Sequence, residues 1–459
     1  MDEFINDVYS QTHSKLVTLL SENTPNILPM VGDIEGAVSS LTPHLPNDGL
    51  GTHETIEHLM KNIVPALNAS SLSPNYYGFV TGGTTPAACI ADQIVSIYDQ
   101  NVQVHLPKET IATAVEDRAL KMLLELLELD PTRWTGRTFT TGATASNVLG
   151  LACARDHVVQ NFLQRKGVSS ISVANSGLIA ACLEAGIRKI QILTAMPHSS
   201  LGKASSIAGL GRTAIEVLPL SDDQPWRLNL QKLEEKLKTP GTASIVAISC
   251  GEVNTGRFST ESIEELGHIR ALCDIYHAWI HIDGDVTQQV FQNSNAAYLT
   301  SATTTSSDNI RSPLNIGIEN SRRFRALPVY ATLTAYGRRS YQKMLARQIR
   351  FARAVADYIL KHPAFELLPQ LLESHEDKIR HTYIIVLFCA KDDALNRELV
   401  QMINATGKIY VSGTTWGGKP ASRIAASNWR VDEERDFSIV RNVLEEVLGM
   451  WRETRSGSG

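Results

Sequence analysis

"SIVAISC" (residues 244–250) and "AWIHID" (278–283) are short, mostly apolar runs, each about the length of one strand. Between them, from about 260 to 276, Ile263, Leu266, Ile269 and Cys273 recur at three- and four-residue spacing, the period of a helix with one buried face. Ser259 or Thr260 stands where a side-chain oxygen caps the first free amides, with Glu261 in the first turn. Strand, helix and strand in this order read as a right-handed β-α-β crossover, and so as part of a mainly parallel sheet with helices on its faces.

The same alternation extends outward over about 136–283. Upstream, apolar residues at helical spacing in 4–22 and 54–67 predict a helical N-terminal arm. Downstream the pattern changes to a long basic helix at 336–362, a strand at 382–390, further strand-like runs "KIYVSGTTW" and "SRIAASNW", and a terminal helix at 432–451. The expected domains are an arm at 1–75, a large α/β domain at 76–330 and a small α+β domain at 331–459.

Composition narrows the function. In 459 residues, 43% hydrophobic with a formal net charge of −5, Lys and Arg are dispersed, which argues against nucleic acid or an anionic membrane surface as partner. No apolar run approaches the ~18 residues of a membrane span, and the polar, acidic start does not read as a secretory signal. The six cysteines are scattered without a C-x-x-C pair, as suits free thiols in the cytoplasm. Chemistry on a small molecule is the expectation.

Parallel sheets bind ligands where the carboxyl ends of their strands meet loops. Three such places stand out. In "FTTGATASNVLGLACAR" (139–155) a turn opens a helix, so that the amides of Ala143, Thr144 and Ala145, with the Thr144 hydroxyl, suit an anion; the plainer alternative is an ordinary capped helix. In "AMPHSSLGKASSIAGLG" (195–211) His198 precedes Ser199 and Ser200, either of which suits a helix cap, and a lone histidine is more often structural. At the third, His281, Asp283 and Asp285 share one face of a strand if it continues, which permits a divalent metal and a hydrolase; Gly284 argues for a break there. The competing reading is a single carboxylate, Asp283, beside a cationic heterocycle, whose ring nitrogen it keeps protonated in a low-dielectric site.

Taken in chain order, these motifs resemble those of the pyridoxal-phosphate-dependent group II decarboxylases, the aromatic-amino-acid and glutamate decarboxylase-like family of fold type I. "NYYGFVTGG" is similar to the family's stretch near the substrate entrance, "TTGATASN" to its "TSGGTxAN" phosphate loop, "PHSSLGKA" to "HxSxxKA", "WIHIDGD" to "WxHVDAA", and "ENSRRFRALPVYATLTAYGR" (319–338) to "SRRxxALKxWxxLxxxG". The resemblance implies phosphate binding at Ala143, Thr144 and Ala145, His198 stacked on the cofactor ring as the catalytic histidine, Asp283 on the pyridine nitrogen, and an amino acid as substrate. It also implies a homodimer, and a polar loop near 299–313 ("LTSATTTSSDNIRSP") that closes over substrate.

Two departures accompany it. "GEVNTG" (251–256) stands where the family has "GTTxxG", so threonine roles there do not pass to Glu252 or Val253. In the family an "HK" dipeptide follows the strand-end aspartate by about thirty residues and its lysine carries the cofactor as a Schiff base; here no lysine occurs between Lys238 and Lys343, and about fifty residues of the pattern are absent. Lys203 and Lys343 lie in helical stretches that do not match the motif. Such a chain reads as a coding product lacking one piece, as a non-catalytic cofactor-binding paralogue or dimer partner, or as an enzyme using a substitute lysine.

Overall fold

The crossover is present, inside a four-stranded parallel sheet. Strands β1 (Lys189–Thr194), β2 (Ile215–Val217), β3 (Thr242–Ser249) and β4 (Trp279–Asp283) lie in the order β2-β1-β3-β4, with Ile192 opposite Ile245, and Ser249 opposite Asp283. The structure, a computed structural model, describes residues 10–15, 17–18, 27–102, 104–284, 310, 316–319 and 321–456. These divide into two compact units, Thr85–Gln342, and Met1–Thr84 together with Lys343–Gly459.

The apolar run at β3 follows from burial on both faces, as parallel strands require. Ile245 and Ala247 join one core with Leu151, Ala154 and Val158 of helix α1 (Ala143–Arg165) and with Leu201 and Ala204 of α2 (Ser199–Ile207). Val246 and Ile248 join a second core with Ile269, Leu272 and Cys273 of α3 (Ile263–Ile275). Each such aliphatic side chain, fully buried, contributes about 1.5–3 kcal/mol. Strand β3 is therefore clamped between helices on both faces.

Helix α3 begins later than its sequence suggests. Ser262, not Ser259 or Thr260, is the cap, its hydroxyl accepting from the Glu265 amide at 3.2 Å. Ser259 instead accepts from the Ser249 amide at 3.2 Å and closes the loop back onto β3. Ile263 is 82% exposed and Leu266 39% exposed, while Leu272 is buried with Ile269 and Cys273. At about 100° per residue, Ile263 sits some 120° round the helix from Ile269, off the buried stripe.

In the other unit a five-stranded sheet runs in the order Tyr76–Tyr77, Tyr410–Trp416, Lys419–Ala425, Ile385–Ala390, Phe365–Leu368. Its strand pairs are antiparallel except the first. Its core joins Tyr77, Phe351, Phe388, Leu399 and Leu444. The run Ala326–Lys361 is two helices meeting at Gly337, whose φ 59 and ψ 173 are not helical, and the second of them is the basic helix expected at 336–362. The terminal helix spans Glu433–Ser456.

Within Thr85–Gln342 one ion pair is almost completely buried. Arg322 donates from Nη1 to Glu116 Oε2 at 2.7 Å and from Nη2 to Glu116 Oε1, the two side chains being 4% and 3% exposed. Removing one partner strands a charge away from water. Arg322→Met is accordingly expected to destabilise the fold by about 3–5 kcal/mol in urea titration, and Arg322→Met combined with Glu116→Met by much less. Equal losses in the two variants would contradict this account.

Candidate active site

Because β1, β3 and β4 run in the same direction, their carboxyl ends form one edge. A recess there is lined by Met196 and His198 from beyond β1, by Ser249, Gly251 and Val253 at the end of β3, and by Asp283 at the end of β4. Two of the expected residues, His198 and Asp283, thus share one wall system although 85 positions separate them. Asp283 is only half-buried, less enclosed than a strand-end acid next to an apolar run suggests.

The third expected element, Ala143–Ala145, is not among the residues that line the recess, and is connected to it through Asn147 of the same helix. Gly142 heads α1 without a side chain to cap it, so Ala143, Thr144 and Ala145 supply the first-turn amides that point along the axis away from the helix. The turn is braced from behind: Thr140 Oγ1 donates to the Gly142 carbonyl at 3.1 Å and lies 2.6 Å from Ser146 Oγ. The N-terminal end of a 23-residue helix carries the positive end of its dipole, which suits an anionic group.

One side chain joins these parts. Asn147, fully buried, donates from Nδ2 to Asp283 Oδ1 at 3.2 Å and to Ser200 Oγ at 3.1 Å. Its Oδ1 lies 2.8 Å from His281 Nε2. Ser200 Oγ is 2.7 Å from His198 Nδ1, and the Ser200 amide donates to the same nitrogen at 3.3 Å. His198 is therefore itself the cap of α2, in place of Ser199 or Ser200. Burial pushes the His281 pKa below its ordinary value, with Asp283 pulling the other way, so the surroundings disfavour the charged imidazole.

Asn147 and Gly150 are the residues that reading motifs alone overlooks, and Ser200, expected only as a possible cap, proves to be the bridge between Asn147 and His198. A signal for Asn147 exists: it precedes Leu151, Ala154 and Val158 by four, seven and eleven residues, so a polar amide occupies the buried stripe of α1. Gly150 lies against the His281 ring, where a Cβ would come within 2.6 Å of Cε1 and 2.9 Å of Nδ1.

Glu252 has a structural task. Its buried carboxylate accepts from the Asn254 and Thr255 amides at 2.9 and 2.8 Å and from Thr255 Oγ1 at 3.0 Å, so it is spent on its own loop. The metal reading gains no support: His281 is engaged with Asn147, and among the described residues no three His, Cys, Asp or Glu cluster as ligands. Asp285, like nearly all of 299–313, lies outside the described residues. No lysine is among the described residues that line the recess, and Lys203 is exposed on α2.

A doubly covered parallel sheet with an acid and a histidine at its carboxyl edge is the fold type I arrangement. The sequence matches the profile described as pyridoxal-dependent decarboxylase conserved domain over residues 37–291, more than half of the chain, and the chain belongs to that family of pyridoxal-phosphate-dependent amino-acid decarboxylases. Among curated relatives, tryptophan decarboxylase 1 of Oryza sativa subsp. japonica is 23% identical, the match covering 97% of this chain and 92% of the relative. That alignment runs over 500 residues, longer than this 459-residue chain, so the relative has stretches without a counterpart here. The L-2,4-diaminobutyrate decarboxylase of Acinetobacter baumannii is 21% identical over 68% of this chain and 67% of its own length. Among solved structures, Oryza sativa TDC with PLP and tryptamine superposes with a TM-score of 0.73 at 18% identity, covering 98% of both chains. Mouse CSAD gives 0.75 at 15% identity, covering 97% of this chain and 98% of that one.

The Gly150 contact is directly testable. Alanine in a helix interior ordinarily gains up to about 1 kcal/mol over glycine, whereas crowding a packed core costs about 1–3 kcal/mol. With the ring tied to Asn147 and unable to retreat, Gly150→Ala is expected to lower the urea midpoint; a raised midpoint would show that His281 yields freely.

Proposed function

We propose that this chain binds pyridoxal phosphate at the carboxyl edge of its sheet and acts on the α-carboxyl group of an amino acid. The observation that carries the reading is the placement of the Asp283 carboxylate and the His198 ring in one recess, both tied through Asn147 to α1, one turn beyond its N-terminus. The donor set fits the cofactor's two polar ends: an uncapped helix N-terminus for a phosphate, and a carboxylate for a protonated ring nitrogen.

In this reading the amides of Ala143, Thr144 and Ala145 and the Thr144 hydroxyl hold the phosphate. Asp283 holds a proton on the pyridine nitrogen, and His198 lies against the ring face and sets its tilt. When bound, pyridoxal phosphate supplies an electron sink for the pair left behind as a carboxylate departs as carbon dioxide. Attachment differs from the family pattern. With no lysine between Lys238 and Lys343, the cofactor is held by ionic and stacking contacts alone, and exchange and product release lose their usual carrier. That same absence favours a second reading, in which the chain binds the cofactor, or pairs with a catalytic subunit, without turning over.

Mixing the chain with pyridoxal phosphate separates these cases. Saturable binding is expected, with no covalent adduct by intact-mass measurement after borohydride and slow carbon dioxide release from a panel of L-amino acids. Asp283→Asn is expected to weaken binding by roughly tenfold or more, the cost of losing a charged hydrogen-bond partner. Binding without any carbon dioxide release would establish the second reading, a borohydride-trapped adduct would reveal a substitute lysine, and absence of binding would sink both readings.

The proposed assembly is a homodimer in the cytoplasm. Supporting it, the helix Pro86–Ile97 turns Ile90, Ile94 and Ile97 outward on one stripe, 61%, 43% and 66% exposed, while Ala91 and Val95 are buried. Among the described residues no helix is long and apolar enough to cross a membrane, and the six cysteines are all free thiols. Light scattering on a sizing column is expected to give twice the chain mass, and Ile90→Asp with Ile97→Asp to give the single chain; an unaltered mass would place the contact elsewhere.

A further inference from the structure

We propose that Asn147 is a positioning residue that aims the Asp283 carboxylate and holds His281 in its Nε2-protonated tautomer, coupling the anion-binding turn to the ring-binding edge. This rests on the assignment of Asp283 to the cofactor ring.

The argument begins with the amide's orientation. Asn147 Nδ2 faces two oxygens, Asp283 Oδ1 at 3.2 Å and Ser200 Oγ at 3.1 Å, and its two protons serve one each. Turned over, the group would set its oxygen against a carboxylate that has no proton to give. With the nitrogen so placed, Oδ1 is the atom facing His281 Nε2 at 2.8 Å, and an amide oxygen can only accept. His281 therefore carries its proton on Nε2, which agrees with the neutral ring favoured by burial.

The second arm is directional too. Ser200 Oγ receives an Asn147 proton and spends its own on His198 Nδ1, 2.7 Å away. The Ser200 amide also points at Nδ1, which must then be an acceptor, leaving the His198 proton on Nε2. One carboxamide thus orders a chain from His281 through Asn147 and Ser200 to His198, with a branch to Asp283. The placement explains the distance it spans. Asn147 lies one turn, about 6 Å, along α1 from Ala143, so the helix that offers its amides to the phosphate also sets the angle of the carboxylate at the ring. Gly150, less than a turn further on, leaves room for the His281 ring to reach the amide.

The test uses the cofactor-free chain with nitrogen-15-labelled histidine, whose imidazole nitrogen correlations distinguish the two tautomers, and His281→Gln to assign the His281 signals. The expected wild-type result is Nε2–H for His281; Nδ1–H would overturn the proposal by reversing the amide. In Asn147→Ala, His281 is expected to lose its single tautomer and pyridoxal phosphate to bind roughly tenfold to a hundredfold more weakly, as for the loss of a hydrogen bond to a charged group. Ser200→Ala is expected to leave the His281 signals unchanged, and supplies the comparison should the Asn147 variant not fold. If Asn147→Ala folds and changes neither tautomer nor affinity, or if Ser200→Ala moves the His281 signals equally, Asn147 is no more than a packing residue. If the tautomers are as stated but the wild-type chain does not bind pyridoxal phosphate, the assignment of the cofactor fails, and this role fails with it.

Discussion

A parallel sheet delivers every strand end of one polarity to the same edge, and the site depends on that constraint. Covered on both faces by α1 and α3, β3 has no solvent-facing side, so the open positions are at the strand termini. There β1, β3 and β4, which are adjacent in the sheet, bring residues 196–198, 249–253 and 283 to one recess. The apolar packing that holds the sheet is therefore also what gives the polar edge its fixed geometry.

Polar groups at that edge are costly unless each is paired, because burial removes water as an alternative partner. The chain meets this with a single amide. Asn147 satisfies a carboxylate, a hydroxyl and an imidazole at once, and Ser200 passes the order on to His198. Farther from the recess the same rule governs Arg322 with Glu116, and Glu252 with the amides of its own loop. In Glu252 a departure from the family's motif has become a loop fastener.

Family membership and missing lysine pull in different directions, and the site geometry locates the conflict. The groups that the proposed reading uses to recognise a cofactor without bonds to it are an uncapped helix N-terminus, the histidine of the recess and a strand-end acid. The family's "HK" motif, whose lysine attaches and releases the cofactor, has no counterpart between Lys238 and Lys343. Recognition and attachment are separate physical tasks, so a chain can keep the first without the second.

The amino-acid sequence by itself determined the crossover, the polarity of the sheet and the order of turn, histidine and acid along the chain, because burial on two faces leaves unbroken apolar runs and helical periodicity between them. It also determined, by simple inspection, that no lysine follows Asp283 before Lys343. The cap of α3 was beyond its reach, since Ser259, Thr260 and Ser262 are equally good candidates until the loop onto Ser249 claims Ser259. Asn147 and Gly150 were likewise settled by tertiary structure. Whether an asparagine in a helix meets water or a carboxylate 136 positions away depends on which strand packs against it, and a glycine becomes necessary only when an imidazole from that strand occupies the space of its missing Cβ.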